Sequence, residues 1–165
     1  MSTATNYIEQ LQMQSHPEGG YFSESFRASA SLELGEVVGR PGVERQLWTS
    51  IYFLLEAGEV SHFHRLQSDE LWYFHDGGTL HIHMIHPDGT YSFGKLGKDI
   101  EKGEMPQLLV PRGTIFGASL EEDAFALVGC MVSPGFDFVD FELFEQNDLL
   151  SMYPEHEAII KKMTR

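Results

Sequence analysis

Apolar and polar residues alternate through most of the chain after residue 20, and glycine and proline cut the alternation at short intervals. A period of two is the mark of a strand with one buried face. It predicts strands over residues 21–28, 47–55, 60–64, 70–75, 79–85, 91–95, 107–110, 114–119, 125–132 and 136–143. Turn residues stand between them, at Glu56-Ala57-Gly58, Asp76-Gly77-Gly78, Pro111-Arg112-Gly113 and Pro134-Gly135. His86-Pro87-Asp88-Gly89 lies between two alternating runs, a strong hairpin signal. Residues 29–46 carry Gly35, Gly39, Pro41 and Gly42 and read as a loop or an irregular hairpin.

The ends read differently. Residues 5–12 place Ile8 and Leu11 on one face of a short helix, which His16-Pro17-Glu18-Gly19-Gly20 ends. In the tail, Asn147 is expected to cap one helical turn, and Pro154 to open a second helix reaching Lys161. Many short strands flanked by short helices predict an all-β sandwich or barrel, and a barrel would also remove exposed strand edges. At 165 residues a single domain over residues 1–165 is expected.

Charge and composition narrow the partners. The formal net charge is −14, and the few basic residues are scattered. Nucleic acid needs clustered Lys and Arg for its phosphates, so it is not expected as a partner. Anionic lipid would be repelled, and the apolar run 51–55 is far too short to span a bilayer. The first ten residues show no basic start and no apolar core of a secretory signal. Cys130 is the only cysteine, which fits a reducing cytoplasm, and its apolar surroundings make it a core residue and not a nucleophile.

The stretch from Gly58 to Gly77 holds the most pointed chemistry. His62 and His64 are two apart, which puts both imidazoles on one face of an extended chain. Glu70 follows on the next strand, with Trp72 and Phe74 on its face. Two imidazoles and a carboxylate suit a divalent metal or general acid–base work. The bulky aromatics read as core, or as an apolar wall that shifts histidine pKa values and stacks a ligand. Gly19-Gly20 beside Glu18, Tyr21 and Glu24 is either a structural turn or a close approach to a ligand. Arg27 and Arg65 could hold an anion or neutralise neighbouring glutamates, and Arg65, directly after His64, should point away from the histidine face. His81 and His83 read as a solvated strand face opposite Ile82 and Met84. Phe136, Phe138, Phe141 and Leu143 read as a core or interface face.

Gly58, His62-Phe63-His64, Glu70 and Gly77 resemble the first motif of the cupin superfamily, with the Glu spacing one residue long. Asp69 would satisfy the shorter spacing. Gly103 and Pro111-Arg112-Gly113 resemble the second motif, but the position of its metal-ligating histidine is Phe116. Several blocks are similar to one branch, the cupin-5 or DUF985 family: His16-Pro17-Glu18-Gly19-Gly20-Tyr21-Phe22, the run 51–55, Ser61-His62-Phe63-His64-Arg65, Asp69-Glu70-Leu71-Trp72, Pro106-Gln107 and Pro134-Gly135-Phe136-Asp137-Phe138. The resemblance implies an RmlC-like double-stranded β-helix, the cupin jelly-roll barrel, with short N- and C-terminal helices, and a homodimer. For activity it implies only an epimerase-like or isomerase-like guess.

The resulting expectation is a cytoplasmic small-molecule-pocket protein acting on a sugar, nucleotide sugar or similar polar metabolite. Proton abstraction beside a carbonyl would use His62 or His64 as base and Glu70 as orienter or second acid. Glu18, Tyr21, Arg65, Trp72, Phe74, Gln107 and Phe116 are the candidate substrate-binding residues. Two alternatives stand beside it. One is a metal-dependent oxygenase or lyase, with His62, His64, Glu70 and Gln107 around a single divalent metal, Gln107 being a weak substitute for imidazole. The other is a non-catalytic ligand-binding module. The expected cofactor is accordingly none or one divalent metal.

Overall fold

The computed structural model of the protein describes residues 3–165, apart from the side chains of residues 36 and 37. Helix α1 (Ala4–Gln10) leads into strands β1 (Gln14–Ser15) and β2 (Tyr21–Arg27). A hairpin of β3 (Ser31–Glu33) and β4 (Glu44–Gln46), with the one-turn helix α2 (Gly35–Val38) at its tip, occupies the region expected to be irregular. There follow β5 (Thr49–Leu55), β6 (Val60–Arg65), β7 (Asp69–Gly77), β8 (Leu80–Ile85), β9 (Tyr91–Leu96), β10 (Gln107–Val110), β11 (Ile115–Leu120), β12 (Ala126–Ser133) and β13 (Glu142–Leu143). The chain ends in α3 (Gln146–Met152) and α4 (Glu157–Met163). Glu145, not Asn147, is the N-cap of α3, and a 3₁₀ turn at Pro154–His156 precedes α4.

The strands form two main sheets. One has the order β1-β2-β5-β12-β7-β10 and the other β13-β6-β11-β8-β9, with every ladder antiparallel. The architecture is the expected jelly roll, as two facing sheets that do not close into one ladder. Period two explains the layering. Phe53 and Leu55 of β5, Trp72 of β7, Ile82 and Met84 of β8, Phe116 of β11 and Val128 and Cys130 of β12 meet between the sheets. Leu54 and Leu127 face the other way, under α1. Phe63, Ile85 and Ile115 likewise point outward and are covered by Leu149, Ile160 and Met163 of the C-terminal helices.

Two expectations change here. The run 136–143 is not a strand. It forms a 3₁₀ turn at Phe138–Asp140, capped by the Asp137 side chain on the Val139 amide, and pairs only at β13. His83 is buried and not solvated, because its face lies beside the C-terminal helices; Tyr91 Oη and Ser119 Oγ hold its two ring nitrogens. Among the described residues no helix is long and apolar enough to cross a membrane.

Candidate functional site

A cavity opens between the sheets, its empty space about 490 Å3 with the open solvent at its mouth included. Most of its wall is apolar: Phe22, Ile51, Phe53, Leu66, Val132, Phe136 and Phe141. Into this lining project His16, Glu18, His64 and Glu70, together with Trp72, Thr49 and Cys130. An apolar lining with a few convergent polar groups is that of a small-ligand site.

The histidine pair is split by a bulge. On β6 and β11, His64 pairs with Phe116 and Ser61 pairs with Ala118, so His62 and Phe63 together oppose Gly117. One extra residue flips the alternation. Ser61 and His64 therefore both reach Glu18 from β6, while Phe63 points out under α4. His62 does not share the cavity with His64. Its Nδ1 lies 2.6 Å from the Glu18 carbonyl oxygen, and its side chain borders a surface hollow with Gly19, Gly58 and Arg165.

Glu18 takes the place expected of His62. The Gly-Gly turn brings it in: the His62 amide donates to the Glu18 carbonyl at 2.8 Å, and Gly19 at φ +111° lies so close to β6 that a Cβ there would sit 2.2 Å from the Val60 oxygen. Only glycine permits that approach. The Glu18 side chain is 6 % exposed. Its Oε1 accepts from Ser61 Oγ at 2.9 Å, and its Oε2 lies 3.1 Å from His64 Nε2 and 3.5 Å from His16 Nδ1.

Hydrogen-bond partners fix the tautomers. His64 Nδ1 lies 2.8 Å from the His62 carbonyl oxygen, which can only accept, so Nδ1 carries the hydrogen. In neutral His64, Nε2 is then bare. A bare nitrogen and a carboxylate would repel at 3.1 Å, so one proton lies between Glu18 and His64. Burial decides where it rests. It pushes the Glu18 carboxyl well above its ordinary value, with the nearby Glu70 adding to the rise, and drops His64 to about 3. The resting pair is a neutral carboxylic acid donating to a neutral imidazole. His16 has the opposite tautomer, since its Nδ1 accepts from the Glu18 amide at 3.2 Å, and burial lowers it to about 4. Glu70 is also held neutral, burial raising it to about 8.

The other expected site residues lie as follows. Glu70 and Trp72 line the cavity. Phe116 lies behind His64, ring centres 4.1 Å apart, in the core. Phe74 shares the inward face but packs elsewhere in the core, with Lys98 over its ring. Tyr21 packs beneath α1 on the outer face. Arg65 pairs with Glu142 at 2.6 Å, pointing away from His64 as its position predicts. Gln107 stands exposed on the edge strand β10. The proposed metal set of His62, His64, Glu70 and Gln107 is thus not brought together. Among the described residues no group of three or more His, Cys, Asp or Glu side chains is arranged to hold a metal. These residues do not fit the divalent ion that the superfamily resemblance implied.

The residues not foreseen are His16 and the walls. His16 stood in the helix-breaking segment, two positions before Glu18, and that spacing was the available signal. Phe136 and Phe141 come from the loop after β12. Asp140 anchors that loop, accepting from Arg40 at 2.6 Å and from Arg45 Nε at 2.9 Å. Asp140→Ala leaves two arginines facing each other without their acid. It should cost about 2 kcal/mol in urea unfolding, a discounted value because Arg40 is partly exposed. An unchanged midpoint would show that the loop is held by its phenylalanines alone.

A family model described as Cupin superfamily (DUF985) matches residues 5–144. The chain belongs to this family. It is 32 % identical over 160 residues to the uncharacterized protein YML079W of Saccharomyces cerevisiae, covering 90 % of this chain and 79 % of that protein. The solved structure of protein SO0799 from Shewanella oneidensis matches with 52 % identity and a TM-score of 0.91, over 100 % of this chain and 99 % of that one. Oxalate decarboxylase from Bacillus subtilis shares the fold alone, with 14 % identity and a TM-score of 0.56 over 94 % of this chain and 38 % of that one.

Proposed function

We propose that the cavity catalyses proton transfer at a carbon beside a carbonyl in a small metabolite, an isomerase- or epimerase-like reaction. The observation that carries it is the buried Glu18–His64 pair, its carboxyl and imidazole 3.1 Å apart in an apolar cavity. His64 Nε2 is engaged by Glu18, so the carboxyl is the exchanging end. As Glu18 takes the substrate proton on Oε1, it passes its own proton from Oε2 to His64 Nε2. The C–H electron pair stays on the substrate as an enolate, and reversal returns a proton to carbon. Ser61 and the His62 carbonyl hold the two partners in line.

The test is deuterium wash-in. Small ketones, aldehydes and ketoses are incubated with the protein in D2O, and NMR follows loss of the proton next to the carbonyl. Exchange that needs Glu18 and His64 supports the reading. Exchange with any of them that is unaffected by removal of either residue contradicts it.

A homodimer is part of the same proposal. Phe93 and Leu109 stand exposed on β9 and β10, and Ile100 and Met105 on the segment that joins them. Light scattering should report twice 18.7 kDa, and a mass equal to one chain would count against it.

A further inference from the structure

Two polar atoms in the cavity wall are buried without a hydrogen bond of normal geometry, Trp72 Nε1 and Glu70 Oε2, although the indole and the Cys130 thiol lie near enough to the Glu70 carboxyl to temper the rise that burial gives it. Their residues are 1 % and 6 % exposed. They belong to alternate positions of β7, on one face, and both line the cavity. An unmade hydrogen bond at such a depth is costly, and a protein keeps one where something else completes it. The indole N–H can only donate. A protonated Glu70 can donate as well. A carbonyl oxygen has two lone pairs and can accept from both.

The rest of the lining sets the charge of the guest. Among the described residues no Lys or Arg lines the cavity. Four arginines are paired elsewhere: Arg27 with Glu24 in an adjoining hollow, Arg65 with Glu142 outside, Arg40 and Arg45 with Asp140. A phosphate or carboxylate would enter an apolar space beside two buried carboxyl groups with no counter-charge, which is prohibitive. We propose that the ligand is an uncharged carbonyl compound with an apolar body, a cyclic ketone or lactone in class, whose oxygen docks on Trp72 Nε1 and Glu70. The nucleotide sugar entertained from the sequence is thereby replaced by a neutral molecule. This rests on the proton-transfer reading only in its choice of carbonyl: the same two donors would steady the enolate oxygen as charge develops there.

The test reads binding without turnover. A Trp48→Phe variant leaves Trp72 as the single indole. It is titrated at neutral pH with cyclohexanone, and separately with cyclohexanecarboxylate, which has a ring of the same size and a negative charge. Cyclohexanone should move the Trp72 indole N–H signal downfield in a saturable way and slow its exchange with water, with a Kd in the millimolar range that so few atoms allow. The carboxylate should leave the signal in place. Glu70→Leu should weaken ketone binding about tenfold or more, and Glu70→Gln, whose amide still donates, should weaken it less. Equal or tighter binding of the carboxylate overturns the proposal, as does the absence of a saturable ketone shift. Ketone docking without any wash-in would sink the catalytic reading and leave this one standing. Wash-in on an anionic substrate alone would do the reverse.

Discussion

Replacing His64 with alanine should cut proton exchange in the cavity by ~10²–10⁴-fold, the range typical of a lost acid–base group. The reason lies in the pair. Glu18 is held protonated by burial, so it can accept a substrate proton only if its own has somewhere to go. His64 Nε2 is that destination at 3.1 Å. Glu18→Gln should cost as much: the amide can still accept from Ser61 and donate to His64, so the geometry stays, but it carries no exchangeable acid proton. Ser61→Ala should cost far less, since it removes one orienting hydrogen bond. The rate should also fall as pH rises through about 8. There Glu70 loses the proton with which it donates, and its new charge opposes an enolate. Near-ultraviolet circular dichroism on each variant separates lost chemistry from lost fold. Wild-type rates in both His64→Ala and Glu18→Gln would reduce the pair to a structural hydrogen bond and favour a binding module.

The second large effect is on stability. Glu70 titrates at about 8 in the folded chain against 4.5 ordinarily, and Glu18 moves in the same direction. Between 4.5 and 8 the folded state keeps protons that the unfolded chain sheds, so stability falls as pH rises through that window. His64 and His16 act oppositely. They are held near 3 and 4 against 6.5, so the unfolded chain binds protons that the folded chain refuses, and stability falls as pH drops below 6.5. Two opposing pairs roughly cancel between 4.5 and 6.5, which places the stability maximum there. Glu70→Gln removes one of the two alkaline contributions. It should match the wild type near pH 4.5 and gain on it steadily, by on the order of a few kcal/mol at pH 8, or roughly 10 °C in melting midpoint. Identical melting curves across the range would mean that Glu70 is ionised and solvated in the folded state.

The sheets were legible in the sequence because their faces differ. Alternation with Gly and Pro turns located the strands from β5 to β12, and put Glu70, Trp72 and Phe74 together on one inward face. The histidine pair shows where that logic stops. Period two assumes an unbroken ladder, and the extra residue opposite Gly117 is a property of strand pairing that His62-Phe63-His64 does not announce. The aromatic run 136–143 alternates well enough for a strand, yet the Asp137 side chain and the Asp140 ion pairs stabilise a turn instead. His83 alternates like a solvated residue and is buried, because alternation cannot say which sheet face a later helix will cover. His16 was hidden by its own context: in a turn it has no periodicity, and only the fold brings it to Glu18.

The central claim is that Glu18 and His64 share one proton as a neutral pair. Nitrogen-15 NMR of histidine-labelled protein reads it directly, with His64→Gln identifying the signals. The account predicts that His64 keeps a protonated Nδ1 and an unprotonated, hydrogen-bonded Nε2 from pH 8 down to about 4, and becomes imidazolium only near 3. An imidazolium that appears near pH 6.5, or a neutral His64 with its hydrogen on Nε2, would contradict it.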